Sequence, residues 1–307
     1  MHTPQGYVDL QVNGYADIDF NADRLSAEDV VHVCQRLRDD GVAGILATVV
    51  TAELESMCAR LANICYLHDA EPAIRDMIWG IHIEGPFLNE APGYIGAHPA
   101  VHARPADVET MQRLLDAAGG LARLVTLAPE RDEGARVTRT LVDQGVRVSA
   151  GHCDPTLDQL RASIDAGLSL VTHLGNGCPM DLPRHDNVIQ RVLSLSEQLH
   201  IGFIADGIHV PFVALGNYLR CSGLDRAFIV TDAISGAGLG PGEYWLGSRQ
   251  VIVDENLATW AADRSHLVGS ACTMQRAAEN LRKSLGFSDK EVRKLTIANP
   301  AKILGIA

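Results

Sequence analysis

Short apolar runs alternate with amphipathic stretches along almost the whole chain. The runs fall at 7–12, 44–50, 78–83, 123–127, 146–150, 168–172, 201–205 and 227–231. Each is nearly continuous rather than alternating, the pattern of parallel strands buried on both faces. Between them lie helical patterns at 26–39, 52–68, 105–118, 133–144, 156–166, 186–198 and 211–221, the first opening on Ser26 and an acidic first turn. Eight strands alternating with helices predict a closed (β/α)8 TIM barrel, with an open doubly wound sheet as the structural alternative. After the eighth run the pattern changes. An insertion over about 236–266, holding a pair of β segments within 243–260, precedes helical stretches at 270–285 and 288–298. No low-complexity linker or composition break divides the chain, so one domain over 1–307 is expected.

The polar residues matter through their position. Strand one ends Asp9-Leu10-Gln11-Val12-Asn13 and strand three ends His82-Ile83-Glu84. Strand five leads into His152, strand six into His173, strand seven into Asp206-Gly207-Ile208-His209, and strand eight into Asp232. In a barrel these ends converge on one mouth, where the active sites of this architecture lie. Glu84, His152, His173 and Asp232 would then meet although they are far apart in sequence. Two imidazoles and a carboxylate suit zinc or another divalent transition metal and leave a position for water. An unligated carboxylate, here Asp232, is the candidate base for that water.

Charge narrows the partners. The chain carries 26 Lys plus Arg against 38 Asp plus Glu, a net charge of −12. An acidic surface without a basic run opposes nucleic-acid binding, so none is expected. No apolar run is long enough for a membrane span. Seven cysteines without a CxxC pair suggest neither a disulfide framework nor a zinc–thiolate site, and fit a reducing cytoplasm.

The segments DLQVNG (9–14), HIEGPFLN (82–89), TLAPE (126–130), SAGH (149–152), THL (172–174), IADGIHV (204–210), VTDA (230–233) and VGSACTM (268–274) occur in this order. Together they closely resemble the N-acetylglucosamine-6-phosphate deacetylases of the amidohydrolase superfamily, over roughly residues 7 to 305. The resemblance implies a metal-dependent TIM-barrel hydrolase that removes the N-acetyl group of N-acetylglucosamine 6-phosphate. It implies Glu84, His152 and His173 as metal ligands and Asp232 as the catalytic acid/base. One divalent transition metal follows, zinc first and ferrous iron second. Gln11 and Asn13 stand where many amidohydrolases have a His-x-His pair, which favours the single-metal variety. Asn13 is either a hydrogen-bonding group near the site or part of an Asn13-Gly14 turn.

Substrate contacts implied by the same resemblance are Ala97 and His98 after strand three, Asn176 and Gly177 after strand six, and Arg184 as a phosphate-binding guanidinium. Asp206, Gly207, Ile208 and His209 follow strand seven, and Leu267, Val268 and Gly269 close over the acetyl end. A homodimer is implied too, because the family's phosphate site is often completed across a dimer. Two departures stand out. Gly175-Asn176-Gly177-Cys178-Pro179 replaces the family's aromatic-Asn-Ala-Met-Pro run. The small β-sandwich that family members build from both chain ends is expected here to be absent or reduced to fragments. Two other readings remain: deacetylation of N-acetylgalactosamine 6-phosphate or an unphosphorylated acetamido sugar, and a non-catalytic sugar-binding barrel.

Overall fold

The computed structural model describes residues 4–306; positions 1–3 and 307 of the expected domain lie outside the described residues. Eight parallel strands form one sheet in chain order: β1 (Tyr7–Val12), β2 (Val42–Val50), β3 (Ile78–Glu84), β4 (Ala122–Leu127), β5 (Arg147–Ala150), β6 (Leu170–Val171), β7 (His200–Ile204) and β8 (Ala227–Val230). The first and last strands meet through hydrogen bonds beyond the regular ladder. Val12 bridges Ala233, Asp232 N–H donates to the Gln11 carbonyl at 3.0 Å, and Asn13 N–H donates to the Ala233 carbonyl at 2.8 Å. The buried Asp9 carboxylate completes the seam by accepting from the Thr231 hydroxyl at 2.6 Å and its N–H at 3.2 Å. The TIM barrel expected from the apolar runs is therefore present, and the open sheet is excluded.

Helices follow each strand: α1 (Ala27–Asp39), α2 (Leu54–Ala70), α3 (Val108–Ala117), α4 (Arg136–Asp143), α5 (Leu157–Asp165), α6 (Val188–Ser194), α7 (Phe212–Ser222) and α8 (Met274–Leu285). Their starts follow from local chemistry. Ser26 and Asp29 form a reciprocal capping box at α1, as do Thr156 and Gln159 at α5. Helix α6 starts at Val188 because Asn187 caps it, accepting from Gln190 N–H at 3.1 Å, and it ends at Ser194, short of the expected 198. The insertion holds three antiparallel strands rather than the expected pair: β9 (Gly242–Leu246), β10 (Arg249–Val253) and β11 (Thr259–Ala261). Leu246, Val251 and Val253 pack it onto Ile234 and Val268 beside the barrel mouth.

The barrel interior is layered by the two-residue period of its strands. Leu46, Leu124 and Phe228 belong to an apolar cluster that the C-terminal Ala301 and Ile303 complete. Two residues further along lie Thr48 and Thr126, which face the fully buried His82; its Nε2 is 2.8 Å from Thr126 Oγ1. Burial pushes the His82 imidazole down to about 4, so it is neutral. Two residues beyond His82 comes Glu84. The larger core cluster, which includes Val33, Ile45, Leu61, Val148 and Leu215, joins the sheet to its helices.

Candidate active site

Each chemical side chain sits where its strand gives way to a loop. Glu84 is the last residue of β3, while His152, His173 and Asp232 each lie two residues past β5, β6 and β8. These three have positive φ values of 51°, 28° and 52°. Such backbone costs on the order of 1–3 kcal/mol per residue and persists only where neighbours hold it. Asn89 N–H donates to the His152 carbonyl at 3.0 Å, Asn176 N–H to the His173 carbonyl at 3.0 Å, and Ser270 N–H to the Asp232 carbonyl at 2.8 Å. The turns aim the side chains inward.

Glu84 is the hub. His173 Nε2 lies 3.1 Å and His152 Nε2 3.4 Å from its Oε1, and His98 Nε2 lies 3.8 Å from its Oε2. The His152 ring meets those of His98 and His173 edge-on, with centroids 4.4 and 4.9 Å away. His152 Nδ1 is 2.8 Å from the Tyr94 carbonyl oxygen, which can only accept, so Nδ1 carries a hydrogen and Nε2 is the ring nitrogen turned toward Glu84. Gln11, absent from the residues expected by chemistry, ties the site together. Its Nε2 donates to Glu84 Oε1 and to Asp232 Oδ1, both at 3.1 Å, and its Oε1 accepts from Thr172 Oγ1. Asn13 Nδ2 adds a 2.7 Å hydrogen bond to the same Asp232 oxygen.

These contacts set the charges. Burial alone would raise the Glu84 pKa, but His152 and His173 outweigh it and hold the carboxyl well below the usual range. Burial opposes charge on His173 too, yet the Glu84 carboxylate raises its pKa. Burial, reinforced by His152, pushes His98 down to about 3. For Asp232 burial prevails over the attraction of His173, and its pKa is raised, the property of a carboxyl that can take and return a proton.

A metal ion fits this donor set. One atom each from Glu84, His98 and His152 lie within 4.8 Å of one another, all three buried. His173 reaches the same carboxylate oxygen as His152, and His98 the other. The group drawn together is thus closed by His98, whereas the expected third ligand, His173, contacts Glu84 Oε1 at 3.1 Å but is not part of that group.

The mouth opens into a cavity of about 860 Å³. Of the expected substrate residues, Ala97, His98, Asn176, Gly177, Ile208, His209, Leu267 and Gly269 line it. Asp206 stands behind: its carboxylate accepts from His209 Nδ1 at 2.6 Å and from the Ile208 and His209 N–H groups. Its pKa is lowered because these contacts outweigh burial. Gly207 and Val268 lie off the lining, Val268 packing into the insertion's core. Arg184 lies in the exposed segment before α6 and is not part of the lining. The wall includes Trp260, Ser265 and His266, which lie in the insertion after β8 and end no barrel strand, so only the fold carries them to the mouth. Among the described residues no helix is long and apolar enough to cross a membrane.

No family model matches the chain. It is 32% identical over 307 residues to the N-acetylglucosamine-6-phosphate deacetylase of Bacillus subtilis, an alignment covering 98% of this chain and 75% of that protein. It is 30% identical over 302 residues to the N-acetylgalactosamine-6-phosphate deacetylase of Escherichia coli O157:H7, covering 98% and 77%. Among solved structures it resembles a mutant N-acetyl-D-glucosamine-6-phosphate deacetylase of Mycobacterium smegmatis in complex with N-acetyl-D-glucosamine-6-phosphate. The TM-score is 0.89 at 29% identity, covering 98% of this chain and 77% of that one.

Proposed function

Because this chain belongs to the N-acetylglucosamine-6-phosphate deacetylase family of the amidohydrolase superfamily, we propose that it hydrolyses N-acetylglucosamine 6-phosphate to glucosamine 6-phosphate and acetate. The observation that carries this reading is the gathering of Glu84, His98, His152, His173 and Asp232 around one cavity. Glu84, His152 and His173 are the proposed holders of a divalent transition metal, zinc before ferrous iron, a choice supported by their one-carboxylate, two-imidazole chemistry. When bound, such an ion lowers the pKa of water and polarises an acyl oxygen.

The chain's own residues do the rest. Asp232, with one oxygen occupied by Gln11 and Asn13, keeps the other for the proton of the attacking water. The same carboxyl then returns that proton to the departing nitrogen, which leaves as the free amine. His98 faces the acyl oxygen, and His209, backed by Asp206, faces the sugar or its phosphate. Ala97, Asn176, Gly177, Ile208, Leu267 and Gly269 shape the wall, with Gly207 and Val268 supporting their loops.

The homodimer, in which a second subunit completes the phosphate site, is implied by the family resemblance; Arg184, its expected phosphate contact, lies exposed and away from the cavity of its own chain. The cysteines are all free, which supports the cytoplasm as the compartment. A second reading has specific support. The 30% identical Escherichia coli relative is named for N-acetylgalactosamine 6-phosphate, and the small Gly175–Cys178 segment lines the pocket.

Acetate release from the two N-acetylhexosamine 6-phosphates and their unphosphorylated forms tests both. Faster turnover of the gluco phosphate supports the first reading, preference for the galacto epimer the second, and no acetate from any sugar rejects both. Metal analysis of two variants tests the ligand assignment. His173→Ala is expected to lose most of its metal and His98→Ala to retain it with lowered turnover; the reverse would transfer the ligand role to His98.

A further inference from the structure

Asn13 has an unfinished hydrogen-bond set. Its side chain is only 2% exposed and lines the cavity beside Asp232. The amide nitrogen is engaged by Asp232 Oδ1 at 2.7 Å, whereas the buried Oδ1 has no partner among the described residues. Contact with a carboxylate fixes which end of the amide faces Asp232, because an ionised carboxylate only accepts. The oxygen left over is an unpaired acceptor on a residue of the cavity wall, and a buried acceptor without a donor is costly. A ligand that brings an N–H or O–H removes that cost.

We propose that Asn13 Oδ1 accepts the N–H of the scissile acetamide and thereby selects secondary amides over esters. The inference deepens the deacetylase reading and rests on it. The nitrogen that receives a proton from Asp232 must lie next to that carboxyl. Asn13 is bonded to the carboxyl by one end of its amide and presents its acceptor from the other. When the acyl carbon becomes tetrahedral, the nitrogen gains a lone pair that must point at the proton donor. A hydrogen bond from its N–H to Asn13 fixes the rotation about the C–N bond so that this lone pair faces Asp232. An ester oxygen has no hydrogen to offer and gains nothing from Asn13. The assignment makes Asn13 a specificity-determining residue, joined to the acid/base by its own side chain.

The test compares two substrates: N-acetylglucosamine 6-phosphate and the 2-O-acetyl ester of glucose 6-phosphate. Asn13→Ala removes both the bond to Asp232, which serves either substrate, and the acceptor, which serves only the amide. The kcat/KM for the amide is expected to fall at least about 10-fold further than that for the ester, with metal content unchanged. Asn13→Ser, which keeps a hydroxyl, is expected to show a smaller change in the amide-to-ester ratio and serves if the alanine variant does not fold. Equal losses on both substrates would overturn the proposal while leaving the deacetylase reading intact. A wild-type protein that releases acetate from neither phosphorylated nor unphosphorylated amides would overturn both.

Discussion

At Asp232 two amide side chains converge on one carboxylate oxygen, and the other oxygen is left for chemistry. Burial raises the pKa of this group while Glu84, nearby and buried more completely, is held low by the imidazoles around it. Two carboxyls with opposite tendencies suit the proposed division between a proton carrier and a permanent anion. Asp232→Asn is therefore expected to bind metal normally and to turn over at least about 100-fold more slowly, the usual size of a general acid–base contribution. A kcat within a few-fold of wild type would remove Asp232 from that role. At this scale the chain was readable where a polar residue ended an apolar run. The strand period lets Gln11 and Asn13 both face the mouth, but it does not name the partners of Gln11, whose amide touches both Glu84 and Asp232, 73 and 221 positions away. Nor does sequence distance say that Arg184 is exposed while His98, on the loop after β3, packs against His152.

The barrel seam is decided by elements rather than single residues. Strands β1 and β8 approach through turns, and Gly14 stands at the crossing. A Cβ there would lie 2.5 Å from the Ile18 carbonyl oxygen and 2.9 Å from the Ser235 nitrogen, both backbone atoms that cannot rotate aside. Gly14→Ala is expected to lower stability by about 1–3 kcal/mol, as overpacking does elsewhere; an unchanged urea midpoint would contradict this account of the seam. Asp9 lies in the same seam, and burial raises its pKa from 3.8 to about 7. Its folded form holds a proton over that range which the unfolded chain has already released, so its contribution to stability declines as pH rises from about 4 to 7. Asp9→Asn keeps an oxygen for Thr231 and cannot ionise. The variant's unfolding free energy is expected to fall less than wild type's between pH 4 and 7, and identical slopes would exclude Asp9 as the source. The apolar runs announced every barrel strand, but the ends moved: β6 shrank to Leu170–Val171, losing Leu168 and Ser169 at its start and Thr172 at its end. The insertion gained a strand because pairing depends on partners that periodicity does not name.

For the molecule as a whole, the mouth concentrates polar groups that an ion would satisfy together. A cation that binds the folded chain alone stabilises it by RT ln(1 + [L]/Kd), about 2.7 kcal/mol at one hundred times Kd. Chelator treatment is expected to lower Tm, and added zinc to restore it; a Tm indifferent to both would argue against a metal at Glu84. The chain by itself determined the number and order of barrel strands, because strands buried on both faces require continuous apolar runs. It also marked Glu84, His152, His173 and Asp232, because a polar residue at the end of such a run must find partners at the barrel mouth. Only the tertiary structure decided which imidazole nitrogens face one carboxylate, that Gln11 bridges both acids, that Asn13 keeps one acceptor unused, and that the insertion walls the cavity. Those outcomes depend on distances of a few ångströms between segments remote in the chain, and such distances exist only once the barrel has closed.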